Sequence, residues 1–271
     1  MTTSVVSSGA SEPGSSLAAS VRWTVHDILV MARRNLYRYQ RLPDWVFFST
    51  AQPVMFILLF TYVFGGAIQV PTGNYIDFLL PGVLVQTVLF GTSATAVGLT
   101  EDITKGTFDR YRSLPMARSA VLAGRILADT LNNVFVMTLM IAVGMIIGFR
   151  FHGGPLEIIG VPVVAIAFAI PFSWTMAYIG VSVKSVEAAN LAGFVWMFPV
   201  TFVSSAFVPV ESMPGWLQPI AQANPFTVAV DAVRALALGE DATTDVLKAL
   251  AWTVGLTAVI APLAVRQYRK V

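Results

Sequence analysis

Apolar residues in this chain come in long blocks rather than in alternation, which points to buried helices and not to sheet. A helix that crosses a bilayer needs about 20 mostly apolar residues. Six stretches meet that need: about 45–65 (WVFFSTAQPVMFILLFTYVFG), 76–99, 120–149, 158–181, 191–208 and 246–265. The pattern predicts an all-α integral membrane protein with six transmembrane helices and both termini on one side. Ahead of the first block, residues 24–42 place Val25, Ile28, Leu29, Ala32, Leu36 and Tyr39 at helical spacing. Arg33, Arg34, Arg38 and Arg41 crowd the other side. That is the pattern of an amphipathic helix lying in the membrane interface, although a charge cluster that merely sets topology would read the same way.

Between the fifth and sixth blocks lies a segment too apolar for a solvated loop and too rich in proline to span. Asn224-Pro225 is a helix start, with Asn as cap and Pro in the first position. Phe226, Val230, Val233 and Ala237 then share a face, and Gly239 suits the end. A short helix or helix pair dipping into the outer leaflet is expected there.

Composition agrees with a membrane protein: 56% of the 271 residues are hydrophobic and only 12% charged, against about 25% charged in soluble domains. The charges are unevenly placed. Of 17 Lys and Arg, all but Arg150, Arg234 and Lys248 fall on the side holding both termini. By the positive-inside rule that side is the cytoplasm, so a multi-pass membrane protein with both termini cytoplasmic is expected. No basic stripe interleaved with aromatics suggests nucleic acid. The absence of cysteine excludes disulfides and thiolate chemistry. Residues 1–22, rich in Ser, Gly and Ala, read as a disordered tail, leaving 23–271 as the membrane domain.

The densest charge lies in one connection between the second and third blocks. EDITKGTFDRYRSLPMAR, residues 101–118, carries seven charges in 18 residues. Within it FDRYRSL reads as a helix of about two turns that Pro115 ends, with Phe108, Tyr111 and Leu114 on one side. Fixed at both ends to spanning helices, it is suited to rigid contact with a cytoplasmic partner. A topology-setting loop is the plainer alternative.

Glu101, Gly106-Thr107, Asp109-Arg110, Leu114-Pro115 and Arg118, followed by Val121-Leu122 and Gly124-Arg125, resemble the cytoplasmic signature of ABC-2 type exporter permeases. QPVMFILLFTYVFGGAI (52–68) and SSAFVPVESMPGWLQPIAQANPFTVAVDAVRAL (204–236) resemble the daunorubicin-resistance subgroup of actinobacterial multidrug permeases. The resemblance implies a half-transporter of a bacterial cell membrane, working as a homodimer with two copies of a separate ABC ATPase. It makes Glu101, Lys105, Gly106, Thr107, Phe108, Asp109, Arg110, Tyr111, Arg112, Leu114, Pro115 and Arg118 the ATPase-coupling segment. Lys184 and Glu187, between the fourth and fifth blocks, match a second cytoplasmic contact and equally an ordinary surface pair. The sequence has no G-x-x-x-x-G-K-[ST] loop. ATP and magnesium are therefore expected on the partner subunit, with no cofactor and no catalysis on this chain.

Ionisable groups inside a bilayer are costly, and few occur here. Arg125 and Asp129, four apart on the third block, form a possible intramembrane ion pair, with fixing of helix depth as the plainer role. Asn132 and Asn133 follow and are suited to bonding between helices. Thr87, Thr92, Ser93 and Thr95 give the second block a mildly polar face that either lines a translocation path or packs helices. His26 and His152 lie far apart and offer no metal spacing. The expected function is ATP-driven export of an amphipathic drug or lipid-like molecule. Export of a lipid-linked glycan or envelope polymer, an ion-driven carrier and a membrane scaffold are the alternatives.

Overall fold

A computed structural model describes residues 17–40, 43–70, 72–106 and 118–268. The described residues form helices joined by short connections. They are α1 (Leu17–Gln40), α2 (Pro43–Leu59), α3 (Tyr75–Gly91), α4 (Ser93–Thr104), α5 (Arg118–Ile147), α6 (Pro155–Ser182), α7 (Val186–Phe202), α8 (Gln218–Ala223), α9 (Pro225–Leu238) and α10 (Thr243–Tyr268). A π-helical turn at Phe60–Phe64 extends α2, and one 3-10 turn at Val210–Ser212 precedes α8.

The protein is a membrane protein. Among the described residues four helical segments are long and apolar enough to cross a bilayer: Tyr75–Thr104 (α3 with α4), Leu122–Ile147 within α5, Pro155–Ser182 and Thr243–Tyr268. Thr50–Phe64 and Val186–Phe202 are apolar but shorter. These two correspond to the first and fifth of the six expected spans.

Two helices make the centre. Every residue of α3 from Tyr75 to Leu89 is buried, which accounts for an apolar sequence with no polar stripe. α6 touches α3, α4, α5, α7, α9 and α10. The core built on them includes Leu79, Leu80, Leu84, Leu89, Phe168 and Met176, each almost inaccessible.

α1 packs along the first half of α5, burying Met31, Ala32 and Asn35. Leu29, assigned by spacing to the apolar face, points outward and is 55% exposed. The helix begins at Leu17, within the stretch that composition reads as tail.

The outer segment follows its local signals. The Asn224 side chain accepts from the Phe226 N–H at 2.9 Å and donates to the carbonyls of Val200 and Val203, both at 2.7 Å. One residue thus starts α9 and satisfies the last turn of α7. Phe226, Val230 and Val233 are fully buried, and Gly239 closes α9 at φ +72°.

Candidate functional site: the charged connection and a carboxamide-lined cavity

α3 and α4 are one helical path interrupted at Thr92, whose hydroxyl donates to the Leu89 carbonyl at 2.6 Å. Below the interruption α4 leads to the charged connection. Lys105 pairs with Glu101 one turn back, and Gly106 leaves the helix at φ +67°, a backbone state that glycine adopts without steric cost. Thr107, Phe108, Asp109, Arg110, Tyr111, Arg112, Leu114 and Pro115 lie outside the described residues. Arg118 opens α5.

The two helices flanking the connection are fastened to each other a few residues inside it. Arg125 and Asp129 of α5 are 5% and 2% exposed, with Nε 3.4 Å from the carboxylate. The guanidinium also donates to the Ala94 carbonyl at 2.8 Å, and the Thr95 hydroxyl donates to Asp129. Charge and hydrogen bonds together offset a desolvation cost that a bare pair would not recover. α4 admits the guanidinium only because Gly98 has no side chain, since a Cβ there would lie 2.0 Å from Nη2. On its other face α4 meets α6, where the Thr100 hydroxyl donates to the Gly180 carbonyl at 2.8 Å. Arg34 of α1 approaches Asp102 at 3.8 Å, so α1, α4 and α5 meet around the connection.

Beside the interruption lies a cavity of about 250 Å³ between α2, α3, the start of α4, α5 and α7. Its polar lining is made of carboxamides: Gln52, Gln86, Asn132, Asn133 and Asn190. Phe56, Phe90 and Phe194 supply aromatic wall, with the Phe90 and Phe194 rings 5.7 Å apart. Thr87 and Ser93 also line it, and among the described residues no formally charged one does. Gln86 and Asn133 are 6% and 4% exposed.

At the opposite end of α3, Arg234 of α9 is buried under the Phe78 ring, its guanidinium carbon 3.8 Å from the ring centre. It donates to the carbonyls of Phe78 and Ser205 at 3.2 and 2.7 Å and to Asp231 at 2.8 Å. Burial pulls this guanidinium down to about 10, and the Asp231 carboxylate acts against that. Burial likewise pushes the Asp231 carboxyl up, opposed by Arg234 and the Ser205 hydroxyl. Among the described residues no cluster of His, Asp and Glu has the makings of a metal site.

A sequence model of the family described as ABC-2 type transporter matches residues 26–238. The chain belongs to the ABC-2 type transporter family. It is 39% identical over 236 residues to the daunorubicin resistance ABC transporter permease protein of Streptomyces coeruleorubidus, covering 87% of this chain and 83% of that one. A Mycobacterium tuberculosis protein named as a probable doxorubicin resistance ABC transporter permease is 30% identical over 259 residues, 93% of this chain and 91% of that one. A second M. tuberculosis doxorubicin resistance ABC transporter permease is 26% identical over 214 residues, 76% and 73% of the two chains.

Within this ABC-2 chain the residues singled out by sequence fall into three groups. Arg125, Asp129 and Thr95 come together in one buried cluster. Thr87 and Ser93 line the cavity, whereas Thr92 is buried against its own helix and Thr95 faces Asp129. Lys184 and Glu187 are exposed and make no ion pair with each other. Sequence reading missed Gln52, Gln86 and Asn190 as a set, and counted Arg234 as a loop cation. Gln86 carries its own signal, a carboxamide inside the apolar run VLVQTVLF. Gln52, beside Pro53 in the middle of α2, and Asn190, in the second turn of α7, do not.

Proposed function

We propose that this chain is the permease subunit of an ATP-driven exporter that moves amphipathic, drug-like molecules outward across a bacterial membrane. It works as a homodimer with two copies of a separate ABC ATPase, which bind ATP and magnesium and dock on residues 101–118. In this reading α2 and α7 complete six spans, α2 reaching the needed length through its π turn, and both termini are cytoplasmic. The printed names of the relatives support the cargo class. The observation that carries the reading is the continuity of one helical path: α3 borders the polar cavity, and α4 runs on from it to the charged connection. The cavity volume is that of part of a small molecule.

The test is efflux and drug-stimulated ATP hydrolysis in membranes holding this chain and its co-purified ATPase. Arg110→Glu and Gly106→Pro are expected to leave the protein inserted while lowering efflux at least tenfold. Proline cannot adopt the positive φ of Gly106. Normal efflux by both variants would remove the coupling assignment. A preparation free of any ATPase would favour the carrier or scaffold alternatives.

A further inference from the structure

We infer that the carboxamide-lined cavity is a cargo subsite for an uncharged, hydrogen-bonding ring portion of the transported molecule, the charged portion of the cargo lying outside it. The inference rests on the exporter reading above and adds what the cargo must present at this point.

Three observations carry it. Gln86 lies halfway along the Tyr75–Thr104 segment, is 6% exposed, and its carboxamide makes no hydrogen bond among the described residues. Asn132, on the facing helix, is half-buried and again has no side-chain partner among the described residues. Both residues line the cavity, and a polar group at bilayer depth needs a partner, so whatever fills the cavity must supply one. Each carboxamide brings two donors and an acceptor, so together they suit hydroxyl and carbonyl groups of either polarity.

Among the described residues the lining also contains no formally charged side chain. A cation or carboxylate entering here would be desolvated with nothing to neutralise it. The ring character follows from Phe90 and Phe194, with Phe198 placed edge-on to Phe90 at 5.4 Å, an aromatic wall on which a flat ring rests. At about 250 Å³ the space falls just below the range of roughly 300–1,000 Å³ typical of whole-ligand pockets. Part of a drug fits, and the remainder projects past Gln52 and Asn190, which are exposed at its rim.

The experiment uses the purified complex with its ATPase in lipid nanodiscs, and two fluorescent probes. Doxorubicin carries an amine that is charged at neutral pH; doxorubicinone is its uncharged ring system. Binding is measured for the wild type, Gln86→Leu, Asn132→Leu and the double variant, each first shown to retain the ATPase subunit and the wild-type elution profile. The expected result is that both probes bind the wild type and that the double variant weakens both at least tenfold. Gln86→Asn, which keeps the carboxamide, should recover most of the affinity. Unchanged binding of both probes by the double variant would overturn the subsite while leaving the exporter reading intact. Weakened binding of doxorubicin alone would overturn the uncharged-ring assignment. A wild-type complex that binds neither probe would overturn the drug reading itself, and the subsite with it.

Discussion

Asp129 joins two helices through a buried charge. It neutralises Arg125 and accepts from Thr95 at a site almost closed to solvent. Removing one partner of a buried pair strands the other charge and costs about 3–5 kcal/mol, whereas replacing both by apolar residues is often neutral. Asp129→Asn is therefore expected to lower the detergent unfolding midpoint sharply and to reduce yield. Arg125→Met combined with Asp129→Leu should recover most of that loss, because Thr95 then turns its hydroxyl to its own helix. A double variant as unstable as the single one would show that shape, not charge balance, holds this contact. The same comparison separates stability from transport. A stable double variant that no longer couples hydrolysis to efflux would assign the fastening a part in transmission.

At the scale of helices, the ends are set by single residues acting over short range. Asn224 is the clearest case: it caps α9 and closes the end of α7 with three hydrogen bonds. Asn224→Ala loses the cap, worth about 1 kcal/mol, and leaves two carbonyls partly buried without their donor. A total loss of about 2–3 kcal/mol is expected, read as faster hydrogen exchange over the first turn of α9. Unchanged exchange there would mean that packing of Phe226 alone holds the helix end. These ends were legible in the sequence for the same reason that they are local. Asn-Pro and Gly act within one turn, and the shared face of Phe226, Val230 and Val233 repeats at helical spacing. Arg234 was not legible. Counting charges by segment places it in an outer loop, and its partners at Phe78 and Ser205 stand 156 and 29 residues away. The cavity failed for the same reason, since its amides come from four separate helices and only Gln86 interrupts an apolar run conspicuously. The connection was the reverse, conspicuous in sequence by charge and motif, while most of its residues lie outside those described.

For the whole molecule, the number of crossings decides which loops share a compartment. With six spans, Lys184 and Gly215 lie on opposite sides; with only the four longer segments crossing, they lie on the same side. The chain has no cysteine, so single substitutions are clean reporters. Lys184 is exposed, and a side chain at Gly215 meets nothing within 4 Å. Gly215→Cys is expected to react with a membrane-impermeant maleimide in intact cells, and Lys184→Cys only after permeabilisation. Equal labelling of both in intact cells would reduce the count to four and reverse the placement of the charged connection.

The interruption at Thr92 sets a mechanical ratio. α4 has 12 residues, so its far end stands roughly 18 Å from the break at 1.5 Å per residue. A sideways push of about 3 Å at Thr104 is then a swing of only about 10° at the level of Ser93, which lines the cavity. In the proposed exporter, a lever of that proportion would turn a broad stroke at the ATPase contact into a fine adjustment where cargo would sit. Shortening α4 by one turn would coarsen the adjustment without touching a single residue of the lining.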